Sequence, residues 1–539
     1  MSQMTIDGIA NEDVGVMVSA VKGRVRGKKH DNPLTTAQRL GSLVKSARDI
    51  MRKDKGLNGD LDRLPMLTWA MFLKFVDDLD AERELFASDG TFVPIVPAPY
   101  RWRDWAAKES GLTGDDLLLF LSSQQTRLPD GTEGPGLFPY LRSLTGSDHP
   151  RRAVVGNIFR TLQNRMADGY LLRSVINLVD GIHFDASDEI HTLGNLYETL
   201  LKEMRDAAGD AGEFYTPRPV VRCIVEALNP RLGETVYDPA CGTGGFLVEA
   251  FRHLEGQGKT VEDRRVLQER SIVGGEAKGL PYLLAQMNLL LHGVESPNVT
   301  LDNSLKVRLG EIGEKDRVDI ILTNPPFGGE EESSIQNNFP PDRRTSETAL
   351  LFLQLIMRKL RRTPAPGRAG LVVPNGTLFA GGVAARIKED LLKEFKLHTV
   401  VRLPNGVFAP YTSIPTNLLF FDRSGPTQDI WYFEQPLPEG RKNYTKTQPI
   451  QFEEFAPLLA WWNAREENER AWKVPVADVL RYDDAGLLVS ANLDIKNPAA
   501  QTDFEHLPPE QLVEDIIAKE RRILDLLGEV RAVLAGGVK

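Results

Sequence analysis

The sequence predicts an α/β protein: a doubly wound sheet that follows an all-helical first third and precedes one C-terminal helix. Three observations predict it. From about residue 215 onward strand-like and helical runs alternate, before that point apolar residues recur at helical spacing, and two strand ends carry loops built from glycine or proline.

Length and composition set the frame. At 539 residues the chain exceeds one compact core, so two or three domains are expected. Its 41% hydrophobic and 26% charged residues, with 46 Gly and 34 Pro, are those of an ordinary soluble globular protein. The longest strongly apolar run, 349–357, is far short of the roughly 20 residues of a membrane helix, so no membrane contact is expected. The start, MSQMTIDGIANEDVG, lacks the basic and apolar stretches of a signal peptide. Cys223 and Cys241 cannot build a disulfide framework and stand in no metal-spaced cluster, so no metal is expected and the chain reads as cytoplasmic. The net charge of −10 opposes a chain that holds DNA phosphates unaided, but leaves room for a local basic groove or for a partner that supplies the contacts.

Residues 1–35 read as an irregular, flexible arm. Its basic cluster, Lys22, Arg24, Arg26, Lys28 and Lys29, suits a solvated segment better than a DNA-contacting one. An N-terminal helical domain is expected over 36–185. Leu40, Leu43, Val44, Ala47, Ile50 and Met51 lie on one helical face, and a second helix is expected over 64–87, starting at Leu64-Pro65. Further helices are expected over 99–180, interrupted by a Gly/Pro-rich turn at 129–139.

The next domain is expected over 186–483, with strands near 234–238, 271–276, 299–301, 318–323, 369–374, 397–403 and 417–421. Helices such as 281–292 and 346–362 between them imply parallel βαβ units. Ligands in such sheets bind at the carboxyl ends of the strands. Residues 484–539 read as a linker and a C-terminal partner-binding helix. Val513, Ile516, Ile517, Ile523, Leu524, Leu527, Val530 and Leu534 form an apolar stripe there, which covers either its own domain or, given its terminal position, a partner.

Three signals carry chemistry. Asp238-Pro239-Ala240-Cys241-Gly242-Thr243-Gly244-Gly245-Phe246 follows a strand and opens a helix. Gly242, Gly244 and Gly245 let the backbone turn tightly and approach a ligand, and the helix start offers free N–H groups. The spacing differs from the dinucleotide fingerprint, and the acid entering the loop better suits a cofactor with an amino-acid portion. Glu276, ending the next strand, can accept hydrogen bonds from both hydroxyls of a ribose. The third signal, Thr323-Asn324-Pro325-Pro326-Phe327-Gly328-Gly329, closes a buried strand with two prolines that stiffen the loop. The Asn324 side-chain carbonyl and the Pro325 backbone carbonyl can both accept from one NH2 group, leaving its lone pair free to face a methyl donor. Phe327 offers a face on which to stack a base. A base inside a duplex cannot reach such a loop, so it would be flipped out.

With these residues in place, the sequence resembles the amino-methyltransferases of DNA, in which Asn-Pro-Pro followed by an aromatic is the catalytic motif. The resemblance implies a Rossmann-like class I S-adenosylmethionine-dependent core, with Asn324, Pro325, Pro326 and Phe327 catalytic. It implies cofactor contacts from Asp238, Gly242, Thr243, Gly244, Gly245 and Glu276. Upstream, Glu213-Phe214-Tyr215-Thr216-Pro217-Arg218 resembles the cofactor motif that precedes the core in the γ-ordered group, with Phe214 and Tyr215 packing on the cofactor and Thr216 near its methionine end. In 299–305 either Asp302 or Asn303 would contact the cofactor adenine, with Asn303 favoured because it directly precedes Ser-Leu.

More narrowly, Gly194-Asn195-Leu196-Tyr197-Glu198, the Tyr-Thr-Pro-Arg run and the helical first third resemble the modification (M) subunit of type I restriction–modification systems. That resemblance, strongest over about 190–425, implies a site-specific N6-adenine methyltransferase acting on double-stranded DNA. It also implies a complex of two M subunits with one specificity (S) subunit and an optional restriction (R) subunit. The competing readings are a protein glutamine-N5 methyltransferase, a non-catalytic cofactor-binding scaffold and a cytosine-N4 methyltransferase. The first is typically shorter and lacks the 214–218 motif, intact Asn324 and Phe327 oppose the second, and Ser often replaces Asn in the third. No segment reads as a target-recognition domain. The 328–348 loop, with Glu330–Glu332 and Arg343-Arg344, is long enough to close over a flipped base but too short to read several base pairs.

Overall fold

The computed structural model describes residues 36–87, 92–107, 111–182, 216–409, 412–499, 517, 519–524 and 526–527. The arm 1–35, the 194–198 run, Glu213, Phe214, Tyr215 and most of the C-terminal stretch lie outside these residues.

The first third is helical: α1 (Thr36–Met51), α2 (Asp60–Phe86), α3 (Trp102–Trp105), α4 (Gly114–Ser122), α5 (Leu137–Ser143), α6 (Pro150–Phe159) and α7 (Gly169–Asp180). The buried stripe of α1 includes Val44, Ala47 and Met51, as its spacing predicts. Helix α2 begins at Asp60 rather than at Leu64-Pro65, so Pro65 lies inside it. Pro65, the sixth residue of the helix, removes one donor from its first full turn of the ladder, and burial of Leu64, Met66 and Leu67 outweighs that loss. The predicted Gly/Pro turn holds a short hairpin pairing Thr126–Arg127 with Glu133–Gly134. Aromatic residues fill the core, with Trp69 edge-on to Phe138 at 5.2 Å and Trp102 edge-on to Trp105 at 5.3 Å.

Helix α7 starts where Asp168 accepts from the Tyr170 and Leu171 N–H groups. Beside it, α4 comes so close that a Cβ on Gly169 would lie 1.9 Å from the Gly114 carbonyl oxygen. Gly169→Ala should therefore destabilise the helical region by about 3 kcal/mol. Chemical denaturation followed by circular dichroism measures this, and an unchanged midpoint would refute the close packing.

Nine strands form one sheet: β1 (Val236–Asp238), β2 (Ile272–Glu276), β3 (Asn298–Leu301), β4 (Ile320–Thr323), β5 (Arg368–Pro374), β6 (Lys396–Arg402), β7 (Thr416–Asp422), β8 (Asp429–Glu434) and β9 (Ala471–Pro475). Their order is β9-β8-β6-β7-β5-β4-β1-β2-β3. Strands β1 to β5 run parallel to one another, in the doubly wound manner predicted. The fully parallel expectation fails at β7, which inserts antiparallel between β5 and β6. The segment linking β6 to β7 holds no helix among the described residues, so no βαβ crossover is made and the chain returns antiparallel. Strands β8 and β9 extend the sheet beyond the seven predicted.

Helices α8 (Arg218–Leu228), α9 (Gly245–Glu255), α10 (Val261–Arg270), α11 (Gly279–Leu291), α12 (Thr348–Lys359) and α13 (Val383–Glu394) accompany the sheet. The sequence of α11, GLPYLLAQMNLLL, is apolar nearly all round because it is buried on two sides. Tyr282, Ala285 and Leu289 join the core against the sheet, while Leu283, Leu284, Met287 and Leu291 join the core of the helical region. One helix thus ties the two regions together.

The structured part runs past the expected boundary at 483. A hairpin pairs Leu480–Tyr482 with Leu488–Ala491, and beyond it Asp494 binds Arg402 at 2.6 Å. Of the C-terminal stripe, Ile517, Ile523, Leu524 and Leu527 are exposed. No helix among the described residues is long and apolar enough to cross a membrane.

Candidate active site

The carboxyl ends of β1, β2 and β4 meet at one cavity. Among the described residues it is lined by Thr216, Arg218, Asp238, Gly242, Thr243, Gly245, Glu276, Asn303, Asn324 and Pro326, all singled out from the sequence. Pro217, Gly244, Pro325 and Phe327, singled out with them, are not part of the lining. Pro217 caps α8, and Gly244 caps α9.

The loop after β1 is shaped by its glycines and held by an acid. Gly242 (φ 54°) and Gly244 (φ 79°) adopt left-handed backbone, which glycine takes without a Cβ penalty. Glu276 Oε2 accepts from the Gly242 N–H at 2.9 Å, and Oε1 from the Lys278 N–H at 2.8 Å. Its carboxylate thus fixes both turns that border the cavity and keeps lone pairs for a ligand. Arg218 Nη1 donates to the Gly245 carbonyl at 2.8 Å, tying the Thr-Pro-Arg segment to the start of α9.

Asp238, at the end of β1, is nearly inaccessible and accepts from the Thr323 hydroxyl at 2.6 Å and the Ala240 N–H at 3.1 Å. Thr323 immediately precedes Asn324, so this bond joins the glycine loop to the proline loop. Burial raises the Asp238 carboxyl to about 7, against the lowering by Thr323 and Ala240, and Glu276 adds repulsion. Burial also raises Glu276, opposed by its hydrogen bonds to the Lys278 and Gly242 backbone. Two buried acids raised together mark a pocket suited to a cation.

Because folded Asp238 holds its proton far above the unfolded value of about 4, its share of stability is complete below about pH 4 and is lost as the pH rises towards 7. Asp238→Asn cannot titrate, so its thermal midpoint should gain on the wild type between about pH 4 and pH 7. Parallel curves for the two proteins would contradict the buried ionisation.

At the end of β4 the Asn324 amide has a defined orientation. Its Nδ2 donates to the Thr216 hydroxyl at 3.0 Å, while its Oδ1 is buried without a hydrogen-bond partner among the described residues. An orphaned buried carbonyl costs about 1–3 kcal/mol unless a donor arrives, and here it borders the cavity. Phe327 sits edge-on to Phe408 at 6.1 Å.

Beyond β3 the two polar candidates separate. Asp302 is half exposed and paired with Lys306 at 2.6 Å, away from the cavity lining. Asn303 lines the cavity, its Oδ1 accepting from the Leu305 N–H and its Nδ2 within 3.4 Å of Glu331. Glu331, Thr348 and Phe352 also line the cavity and, with Ala277, Lys278 and Ser304, escaped sequence reasoning as site residues. The first three belong to the segment after the proline loop, whose Glu331 N–H donates to the Ser346 carbonyl and whose Gly329 carbonyl accepts from Thr348. A cluster of three consecutive acids, Glu330–Glu332, was the available signal.

A sheet ordered 3-2-1-4-5-7-6 in its first seven strands, with a glycine loop after β1, an acid ending β2 and a proline loop after β4, defines a Rossmann-like class I methyltransferase. Residues 188–503 match the model of the N-6 DNA methylase family. The chain is 45% identical over 510 residues to the methylase subunit of the type I restriction enzyme EcoEI of Escherichia coli, covering 93% of this chain and 98% of that one. It is similar to a modification subunit of a putative type I restriction enzyme from Vibrio vulnificus YJ016, whose crystal structure matches with TM-score 0.82 and 64% identity over 87% of this chain and 99% of that one. A chain from a structural study of type I R-M system assembly and conformational transition matches with TM-score 0.71 and 41% identity over 94% of this chain and 100% of that one. The chain belongs to the N-6 DNA methylase family, among the methylase subunits of type I restriction enzymes.

Proposed function

We propose that this chain is the catalytic modification subunit of a type I restriction–modification complex, methylating N6 of an adenine flipped out of double-stranded DNA. The observation that carries the reading is the Asn324 amide: Thr216 holds its Nδ2, and its buried Oδ1 borders the cavity without a donor.

The residues present fit S-adenosylmethionine. Asp238, Glu276 and Glu331 supply carboxylates for a cationic, hydroxyl-bearing ligand, and Phe246 and Phe352 supply flat apolar walls. Gly242, Thr243, Gly244 and Gly245 shape the loop, Asn303 lies at the β3 end, and Thr216, Pro217 and Arg218 close the near side. Glu213, Phe214 and Tyr215 are assigned to the cofactor by motif alone. When bound, S-adenosylmethionine supplies an electrophilic methyl group on a sulfonium.

The chain's own residues prepare the nucleophile. Asn324 Oδ1 and the Pro325 carbonyl accept the two amine hydrogens of the target adenine, which draws N6 away from planarity and frees its lone pair. Pro325 and Pro326 keep these acceptors from relaxing, and Phe327 stacks on the base. The proton that N6 sheds passes to solvent. Holding both partners in one orientation contributes up to about 7–11 kcal/mol in favourable cases.

The net charge of −10 and the lack of a recognition domain in the described fold support a division of labour: an S subunit chooses the site, a second M subunit completes the assembly, and an R subunit is optional. Such a complex works in the cytoplasm. The test is methyl transfer from labelled cofactor to duplex DNA by this chain alone and with its S subunit. Transfer only in the complex supports the reading, whereas labelling of protein in place of DNA would overturn it.

A further inference from the structure

Helix α12 connects the active site to a second cavity. Thr348 at its start lines the first; Arg358, ten residues on and about 15 Å away at the helical rise, lines the second. The two lie at opposite ends of β4, which enters beside Leu360, where the Val318 N–H donates to the Lys359 carbonyl, and leaves at Asn324. The second cavity, of about 350 Å³, is walled by Arg343, Arg358, Arg362 and Arg423 together with Asp390 and Glu394.

Its charges do not balance. Arg343 is matched by Asp390 through two bonds of 2.6 and 2.9 Å. That leaves three guanidiniums on the wall against exposed Glu394 alone, with buried Arg317 close behind. Arg317 has Glu314 as its ion-pair partner at 2.8 Å, while its Nε lacks a hydrogen-bond partner among the described residues. Burial, and after it the charges of Arg362, Arg317 and Arg358, lower Arg423 to about 10 against the opposing pull of Glu394.

These groups are partly preorganised. Arg358 uses Nε on the Leu309 carbonyl, and Arg423 uses Nη1 on the Met357 and Leu360 carbonyls while lying over the Phe395 ring at 5.0 Å. Arg362 has no hydrogen bond or ion pair among the described residues. Cations favour helix C-termini, which accounts for the carbonyl bonds of Arg358 and Arg423 but not for Arg362 or the cavity.

We infer that this cavity is a second ligand site, which binds a phosphate-bearing anion through the guanidiniums of Arg358, Arg362 and Arg423. Guanidinium forks match phosphate oxygens and cannot discharge by losing a proton. The volume is that of a small-molecule pocket, which favours a di- or triphosphate over a stretch of nucleic-acid backbone.

The test titrates the full-length protein with pyrophosphate by calorimetry. The wild type should bind saturably, and Arg362→Gln should weaken binding by about tenfold or more while leaving the thermal midpoint and S-adenosylhomocysteine binding unchanged. Arg362→Lys, which keeps the charge without the fork, should recover only part of the loss. Displacement of pyrophosphate by duplex DNA identifies a nucleic-acid backbone as the source of the phosphate, and no displacement identifies a small phosphorylated ligand. Absence of saturable binding, an Arg362→Gln affinity equal to wild type, or binding of polyglutamate but not pyrophosphate would each overturn the site.

Discussion

Asn324→Ala is expected to lower methyl transfer by about a thousandfold or more while changing S-adenosylhomocysteine affinity by less than about threefold. The variant removes Oδ1, a buried side-chain carbonyl with no donor among the described residues, and leaves the carboxylates and glycine loop of the cofactor side intact. It also frees the Thr216 hydroxyl, which water can satisfy because Thr216 is only partly buried. Single-turnover transfer in the assembled complex and calorimetry on the same preparation separate the two effects. A variant that turned over normally would remove Asn324 from the chemistry, and one that lost the cofactor would recast it as a binding residue.

Glu276→Gln carries the second largest effect, at least about a hundredfold weaker binding of S-adenosylhomocysteine. The carboxylate accepts from the Gly242 and Lys278 N–H groups on separate oxygens, whereas an amide offers one oxygen and turns two hydrogens towards a backbone donor. Loss of the bond to Gly242 loosens the left-handed turn at the cavity floor, and the ribose acceptor goes with it. Calorimetry gives the affinity and a thermal melt checks that the fold survives. Wild-type affinity would show that Glu276 serves the loop alone.

The sequence made the parallel half of the sheet legible because each of β1, β2, β4 and β5 is a short apolar run followed by a helical one. Strand direction leaves no such periodicity, and β7 was misread on that account. The missing helix between β6 and β7 was the only trace of its reversal. Strands β8 and β9 escaped prediction although Ile430-Trp431-Tyr432-Phe433 is a run of strand formers, because the segment between them, which holds the helix Ala456–Asn463, conceals that they pair. Pro65 misplaced a helix start because a proline rule reads one residue at a time while tertiary burial acts on the whole turn.

Site residues followed the same division. Asp238, Glu276 and Asn324 sit at strand ends, where topology alone puts a residue beside the ligand. Glu331, Thr348 and Phe352 reach the cavity only because the segment after the proline loop folds back on the start of α12, a tertiary event with no local pattern. The sequence favoured Asn303 over Asp302 only for its place before Ser-Leu, whereas the ion pair to Lys306 separates the two in space.

The central claim is that Asn324 prepares an adenine amine for methylation. Its most direct test is the chemical position of the transferred methyl: DNA methylated by the complex of this chain with its specificity subunit is digested to nucleosides and resolved by mass spectrometry. The account predicts N6-methyladenine, present with wild type and absent with Asn324→Ala. Methyl groups on cytosine, or N6-methyladenine at wild-type level from the variant, would contradict it.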